Sequence, residues 1–238
     1  MKKLIKKIIN ITFTPFVLQD YFKFKKYSNK RFSVKISDFY PCIKDKIVKT
    51  KFDAHYVYHT AWAARKIREI SPEKHVDVSS SLYFGGIVSA FIPIDFYDYR
   101  PAKIKLSNLK SDYADLTKLP FNDKSISSLS CMHTVEHIGL GRYGDKIDPN
   151  GDLKAISELK RVLSKDGSLL FVVPIGKPKI EFNAHRIYSY EQISEYFKDL
   201  ILKEFSLVTD SGDFIEDADE NLAKKQKYGC GCFWFIKK

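Results

Sequence analysis

The chain has 238 residues, of which 44% are hydrophobic, a length and composition that allow one globular domain and an additional segment. Its formal net charge of +11 comes from residues 1–52, which hold fourteen Lys or Arg and three Asp. The remainder of the chain, residues 53–238, is therefore neutral. Because enzymes that act on nucleic acids usually carry positive charge around the active site, this distribution argues against a nucleic-acid substrate.

Residues 1–52 form a basic, aromatic-rich arm for which two interpretations stay open. Apolar side chains between residues 4 and 9 share one helical face and lysines share the other, and residues 21–27 alternate aromatic and basic side chains. One hypothesis places residues 1–30 on an anionic membrane surface, and the other packs the arm on the body with its lysines in solvent. The arm lacks the roughly 20 apolar residues of a membrane span and a small-residue cleavage site. We therefore expect a cytoplasmic protein, with peripheral binding at the inner membrane face under the first hypothesis.

The four cysteines are too few for a dense disulfide framework, which favours a reducing compartment. Cys230 and Cys232 are separated by one residue, whereas zinc and redox pairs usually have two between them. They are interpreted as small residues of a late strand. His133 and His137 are four residues apart, so on a helix they could share one face and bind a metal ion. Because no third ligand of similar quality is evident, no metal site is predicted.

From residue 53 onward, patterns typical of helices and strands alternate. Helices are predicted at 53–70, 83–91, 152–163 and 189–200, with further helix signals after Thr134. Strands are predicted at 75–79, 94–99, 109–114, 125–132, 168–173, 205–209 and 232–236. This alternation predicts an α/β fold with a parallel sheet and helices on both faces. Ligands of such sheets bind beyond the carboxyl ends of the strands, so the residues that follow each strand are the candidates for a site.

Polar residues follow the first three predicted strands. The serine-rich turn from Asp77 to Ser81 could offer backbone N–H groups and hydroxyls to a polar ligand, or could simply cap the next helix. Asp98 lies about twenty positions past Asp77, the spacing at which nucleoside-binding folds place an acid on the ribose hydroxyls. Asp95 on the opposite face of the strand is the competing acid, and a structural role for Asp98 is the alternative. Asp115 follows the third strand, where a carboxylate can accept a hydrogen bond from an adenine amino group.

Three segments, in order, resemble class I S-adenosylmethionine-dependent methyltransferases: ADLTKLPF, SISSLSCMHTVEHI and ELKRVLSKDGSLLFVVP. Over residues 53–209 the chain resembles a little-characterised bacterial family that carries a methyltransferase-like domain of unknown function. The resemblance implies a Rossmann-like, mostly parallel sheet with a late antiparallel strand, and S-adenosylmethionine as cofactor. Some relatives lie beside surface-glycan genes, which implies methyl transfer to a small-molecule or sugar acceptor, in surface-glycan biosynthesis.

The resemblance assigns cofactor-binding roles position by position. It places Asp77, Ser79 and Ser81 at the methionine end, Asp98 at the ribose, Asp115 and Leu116 at the adenine, and His133 near the sulfonium. The family's first motif is an acidic residue followed by G-x-G-x-G, whereas this chain has no glycine between Asp77 and Gly85. Because glycine lets the backbone approach a ligand closely, a non-catalytic methyltransferase-like binding or scaffold module stays open as the alternative to an enzyme.

The residues that would bind the methyl acceptor and remove its proton are expected in the polar loop that starts at His133 and in the segment that ends at Tyr188. The candidate bases for removing an acceptor proton are His133, His137 and His185. The candidate acceptor-binding residues are Arg142, Arg186 and Tyr188, since Arg pairs with phosphates and carboxylates. A structural role for His137 with its neighbour Glu136, and an anchoring role for His185, are the alternatives.

Overall fold

The computed structural model describes residues 2–27, 31–43 and 45–238, with side chains from residue 15 onward. The chain divides into two compact units, Met1–Phe52 and Asp53–Lys238. The first unit contains helix α1 (Lys2–Tyr27) and a 3-10 turn at Ile36–Asp38. The apolar face predicted between residues 4 and 9 lies outside the side chains described. Among the described residues, no helix is long and apolar enough to span a bilayer.

The second unit is an α/β body. Its helices are α2 (Ala54–Ile70), α3 (Leu82–Val88), α4 (Gly151–Val162), α5 (Tyr190–Tyr196) and α6 (Glu220–Lys224), with a 3-10 turn at Val135–His137. Its strands are β1 (His75–Val78), β2 (Ile94–Asp98), β3 (Leu109–Tyr113), β4 (Ile126–Met132), β5 (Leu163–Ile175), β6 (Lys179–Glu181), β7 (His185–Ile187), β8 (Leu200–Val208), β9 (Phe214–Ile215) and β10 (Gly229–Lys237).

Eight strands form one sheet in the order β3-β2-β1-β4-β5-β10-β8-β9, and β6 pairs with β7 in a separate hairpin. Neighbours from β3 to β5 are parallel, whereas β10 runs antiparallel to both β5 and β8. This confirms the predicted mostly parallel Rossmann-like sheet with a late antiparallel strand. The order reverses between β1 and β4, the switch point at which such sheets bind ligands.

Strand β5 explains how the sheet builds a core on both faces. Because successive side chains of a strand point to opposite faces, Leu169, Phe171 and Val173 pack in one apolar cluster with α4 and α5. Leu170 and Val172 pack in the other, with α2 and α3. The uninterrupted apolar run of β5 is therefore typical of a strand buried on both faces.

Capping residues fix the helix ends that border the site. Asp53 caps α2 by accepting a hydrogen bond from the backbone N–H of Tyr56 at 3.2 Å. The capping box predicted at Ser189 is present at the start of α5 and includes the side chain of Gln192. That helix ends at Tyr196, four residues earlier than predicted.

The helix signals after Thr134 produce only one 3-10 turn, which corrects that expectation. Gly139 and Gly141 follow it with φ of +80° and +70°, in the left-handed region. A Cβ on Gly139 would clash with the carbonyl oxygen of Asp148. The chain therefore turns sharply here instead of continuing a helix, and His133 and His137 do not share a helix face.

Candidate functional site

Two adjoining cavities lie at the carboxyl ends of the first four strands. One, of about 260 Å³, is lined by Asp115, Leu116 and Thr117 among others. The second, of about 210 Å³, is lined by Asp98 and His133 among others. Four residues line both cavities, which are therefore parts of one cleft: Ser79, Tyr99, Ile138 and Tyr143. The cleft lies at the switch point of the sheet, where the strand order predicts it.

Hydrogen bonds that involve side chains hold the serine-rich turn after β1 in place. Ser79 has a φ of +59°, a conformation that glycine adopts without steric cost. Its carbonyl accepts a hydrogen bond from the Thr134 hydroxyl at 2.9 Å. The Ser80 hydroxyl accepts one from the backbone N–H of Met132 at 3.1 Å. The turn is thus tied to the end of β4, and Ser79 reaches the conformation that a glycine turn would supply.

Asp77 lies beneath this turn, and its residue is fully buried. Its carboxylate accepts hydrogen bonds from the Ser130 hydroxyl and, at 3.0 Å, from the backbone N–H of Ser80. Burial raises the pKa of this carboxyl to about 6 against these stabilising hydrogen bonds. Asp77 is not among the residues that line the cleft, so the structure assigns it to organising the turn.

His75 extends the same buried network. Its two ring nitrogens lie 2.7 Å from the Ser128 hydroxyl and 2.8 Å from the Ser130 hydroxyl. Burial lowers the pKa of His75 to about 3, so the imidazole is neutral. A chain of polar groups from His75 through Ser130 to Asp77 therefore joins β1 to β4.

The two other acids predicted to bind cofactor line the cleft. Asp98 ends β2 and accepts a hydrogen bond from the backbone N–H of Arg100 at 2.7 Å. Asp115 accepts bonds from the backbone N–H and hydroxyl of Thr117 at 2.8 and 2.7 Å. Asp98 lines one cavity, whereas Asp115 and Leu116 line the other. Ser81, by contrast, is the N-cap residue before α3 and is not among the lining residues.

Five of the six histidines of the chain gather at this end of the sheet. They are His55 and His59 on α2, His133 and His137 after β4, and His185 on β7. The ring of His133 lies 5.7 Å from that of His55 and 5.0 Å from that of His59. The rings of His137 and His185 are 6.3 Å apart. The structure thus brings together the three predicted histidines with two that the sequence analysis did not single out.

Burial controls the charge of this cluster. Desolvation lowers the pKa of His133 to about 4 and raises that of Glu136 to about 7. The Nδ1 of His133 lies 2.9 Å from a carboxylate oxygen of Glu136. Burial also lowers the pKa of His137, whose Nδ1 donates a hydrogen bond to the Ala184 carbonyl at 2.6 Å. His133 and His137 are therefore neutral at pH 7, and both line the cleft.

Arg142 lies beside the cleft. Its guanidinium donates to the Ala184 carbonyl at 3.0 Å and lies 5.1 Å from the centre of the Tyr143 ring. The guanidinium of Arg100 lies 4.4 Å from the same ring. Two guanidinium groups therefore lie near an aromatic residue that lines both cavities, an arrangement suited to an anionic ligand, although only Arg100 is itself among the lining residues.

Arg186 and Tyr188 are placed differently from the acceptor-binding role expected of them. Arg186 is 5% exposed, and its guanidinium donates to the Ile138 carbonyl at 2.7 Å. The Tyr188 hydroxyl, on a residue that is 3% exposed, donates to Asp152 at 2.9 Å. Neither lines the cleft. This corrects the expectation, because Arg186 is bonded to the loop after β4 and Tyr188 is bonded to the first turn of α4.

The sequence analysis missed His55, Tyr56 and Cys230. Tyr56 lines the cleft, and its ring stacks on that of His133 at 5.5 Å. The Sγ of Cys230 lies 3.3 Å from the Nε2 of His133. The four-residue spacing of His55 and His59 on a predicted helix was an available signal for two histidines on one face.

One family model matches residues 95–224, more than half of the chain, and its description is "Caenorhabditis protein of unknown function, DUF268". Because this description names Caenorhabditis, the expectation that the chain belongs to a bacterial family stays a prediction. No curated protein sequence matches the chain.

Solved structures similar to the chain include methyltransferases. The YcgJ protein of Bacillus subtilis is 13% identical with a TM-score of 0.54, covering 76% of this chain and 99% of that one. A proposed sarcosine dimethylglycine methyltransferase of Galdieria sulphuraria is 13% identical with a TM-score of 0.55, covering 76% and 85%. A proposed methyltransferase of Bacillus halodurans is 14% identical with a TM-score of 0.50, covering 73% and 98%. At these identities the likeness shows the fold, which is that of class I methyltransferases.

The burial of Asp77 predicts a specific pH dependence of stability. Its folded pKa of about 6 lies above the ordinary 3.8. Its contribution to stability is therefore fully present below the unfolded pKa and is lost as the pH rises through about 6. Asp77→Asn removes this dependence. Relative to the wild type, the free energy of unfolding of the variant should rise by about 2 kcal/mol between pH 4 and pH 7.

Urea unfolding of both proteins at several pH values measures this difference, in which groups that titrate equally in the two proteins cancel. A difference that stays constant from pH 4 to pH 7 would contradict the assignment of Asp77 as a buried carboxyl with a raised pKa.

Proposed function

The chain belongs to the family described as Caenorhabditis protein of unknown function, DUF268, and from this premise we propose that it transfers a methyl group from S-adenosylmethionine to a small-molecule or sugar acceptor. The observation that carries the proposal is the placement of Asp98 and Asp115 on adjoining cavities at the switch point of a methyltransferase-like sheet. The ribose of the cofactor would contact Asp98, and its adenine would contact Asp115 and Leu116.

The residues of the cleft fit this cofactor. The cavities of about 260 and 210 Å³ together fall within the range of about 300–1,000 Å³ that is usual for cofactor sites. A carboxylate at Asp98 can accept hydrogen bonds from two ribose hydroxyls. Ser79 lines both cavities in a glycine-like backbone conformation, which would let the turn approach the methionine part. When bound, S-adenosylmethionine supplies an electrophilic methyl group.

His137 is the residue that we propose as general base. It lines the cleft beside Asp98, and burial keeps its imidazole neutral and able to accept a proton. Its Nδ1 is held by the Ala184 carbonyl, which leaves the lone pair on Nε2. His133 is less suited, because its two nitrogens contact Glu136 and Cys230.

The acceptor that fits the cleft best is an anionic one, such as a phosphorylated sugar. Arg100 and Arg142 flank Tyr143, and three tyrosines line the second cavity. Guanidinium groups bind phosphate through paired hydrogen bonds. The proposed place of this reaction is the biosynthesis of surface glycans, whose intermediates include such phosphorylated sugars.

A non-catalytic binding module is the second candidate function. The observation that favours it is the serine turn, whose side chains take up space that glycines would leave free for the cofactor. The two candidates differ in one measurable property, since only the enzyme must bind S-adenosylmethionine in the cleft.

Calorimetric titration with S-adenosylmethionine and S-adenosylhomocysteine separates the candidates. The enzyme hypothesis predicts micromolar binding by the wild type. Asp98→Asn should weaken it about 10- to 100-fold, because hydrogen bonds to a charged group contribute about 1.5–3 kcal/mol. The matched control is Asp95→Asn on the same strand, whose carboxylate pairs with Lys74 at 2.8 Å. The control should bind as the wild type does.

Failure of the folded wild type to bind either ligand at millimolar concentration would contradict the enzyme hypothesis and favour the binding module. Equal losses in Asp98→Asn and Asp95→Asn would contradict the placement of the ribose at Asp98.

For the first unit we propose binding to an anionic membrane at the inner membrane face. The aromatic side chains of Phe22, Phe24 and Tyr27 are 57, 66 and 80% exposed on α1, and lysines alternate with them. Exposed aromatic and basic side chains on one helix favour an anionic lipid surface, with about 1 kcal/mol from each Lys near it.

Sedimentation of the full chain with vesicles tests this proposal. We expect binding to vesicles that contain phosphatidylglycerol, weaker binding at high salt, and little binding to phosphatidylcholine alone. The double variant Phe22→Ala/Phe24→Ala should bind several-fold more weakly, whereas Phe182→Ala, an exposed aromatic change in the second unit, should not. Equal binding to both kinds of vesicle would contradict the proposal.

A further inference from the structure

Three potential metal ligands meet where α2, the end of β4 and β10 converge. They are His55, His133 and Cys230, and their ligand atoms all lie within 4.8 Å of one another. His133 Nε2 and Cys230 Sγ are 3.3 Å apart. Around a tetrahedral zinc ion, with bonds of about 2.0–2.1 Å to nitrogen and about 2.3 Å to sulfur, these two atoms would be about 3.5 Å apart. This pair therefore already has nearly the spacing of two zinc ligands.

Contacts behind the two imidazoles position them as ligands. The Nδ1 of His133 donates to the buried carboxylate of Glu136 at 2.9 Å. The ring of His55 stacks on that of Tyr228, with 5.2 Å between the ring centres. An oxygen partner on one nitrogen fixes the tautomer and leaves a lone pair on the other. Metal-binding histidines are usually held in this way by a carboxylate or a backbone carbonyl.

Two buried polar atoms around the cluster lack a partner among the described residues. They are Oε2 of Glu136 and Nε2 of His59. Both residues are nearly or fully buried, and the ring of His59 lies 5.0 Å from that of His133. A buried polar atom without a partner is destabilising. A metal ion held by His133 would place a positive charge near the Glu136 side chain, whose Oε2 lacks a partner among the described residues.

We propose that His55, His133 and Cys230 bind one divalent transition-metal ion, with zinc as the preferred ion. Imidazole and thiolate are donors that suit zinc, and three protein ligands leave a fourth position open, as in catalytic zinc sites. On binding, the S–H bond of Cys230 breaks, a metal–sulfur bond forms, and the proton passes to solvent without any change of oxidation state. His133 also lines the cleft, so the ion lies at its border.

Titration of the metal-free full chain with Co²⁺ alone tests the site, because cobalt occupies zinc sites and absorbs light. We expect a near-ultraviolet thiolate-to-cobalt charge-transfer band that saturates at one equivalent of Co²⁺. The band should disappear when Zn²⁺ is added and displaces the cobalt. Cys230→Ser should abolish the near-ultraviolet band. The matched control is Cys131→Ser, a buried cysteine of β4, which should keep it.

Two further variants separate ligation from structural packing. His55→Gln removes a ligand on a partly exposed residue and should weaken cobalt binding at least 10-fold. Glu136→Gln replaces the carboxylate partner of His133 with an uncharged amide and should weaken cobalt binding about 10- to 100-fold. Circular dichroism shows whether each variant is folded. Cobalt binding is then compared among the folded variants only.

Absence of the charge-transfer band in the folded wild type would overturn the proposal, as would a band that persists in Cys230→Ser and disappears in Cys131→Ser. The titration contains no methyl donor. Failure of the metal site is therefore distinguishable from failure of methyl transfer, which is judged by S-adenosylmethionine binding.

Discussion

The cleft depends on one buried connection between β1 and β4, in which the Asp77 carboxylate accepts hydrogen bonds from Ser130 and from the turn above it. The two strands flank the switch point of the sheet, where the chain leaves in opposite directions and opens a space for ligands. Burying a carboxylate away from water costs free energy, and the hydrogen bonds from Ser130 and Ser80 offset part of that cost. The Asp77 network therefore stabilises the turn whose backbone borders both cavities.

The serine turn illustrates how a different sequence can give a similar backbone. Ser79 takes a positive φ that glycine would adopt more easily, and hydrogen bonds from Thr134 and to Tyr97 hold it there. Ser79 thus takes a backbone conformation that glycine favours, and the hydroxyl of Ser80, which a glycine would lack, connects the turn to β4 by a hydrogen bond. Whether the serine side chains leave room for a ligand decides between an enzyme and a binding module.

Local patterns predicted the fold well. The apolar run of β5 and the capping box at Ser189 depend on neighbours in sequence, and both are present. The spacing of Asp98 and Asp115 after their strands likewise predicted that both follow strand ends, where they line the cleft. Such features can be predicted from the sequence because both the periodicity of a strand and the capping of a helix depend on a few neighbouring residues.

Contacts between distant segments could not be predicted in the same way. Cys230 reaches His133 because β10 inserts between β5 and β8, a pairing that no local pattern specifies. Arg186 and Tyr188 looked like acceptor-binding residues, but Arg186 is bonded to the loop after β4 and Tyr188 to Asp152 of α4. The sequence identified the types of residue at the site, whereas tertiary packing decided which of them face the cleft.

A crystal structure of the full chain grown with millimolar S-adenosylhomocysteine would show directly whether the cleft binds the cofactor product. We expect the ribose hydroxyls within hydrogen-bonding distance of the Asp98 carboxylate, the adenine against Asp115 and Leu116, and the amino-acid part beside the Ser79 turn. A ligand bound elsewhere, or a cleft that stays empty under these conditions, would contradict this expectation.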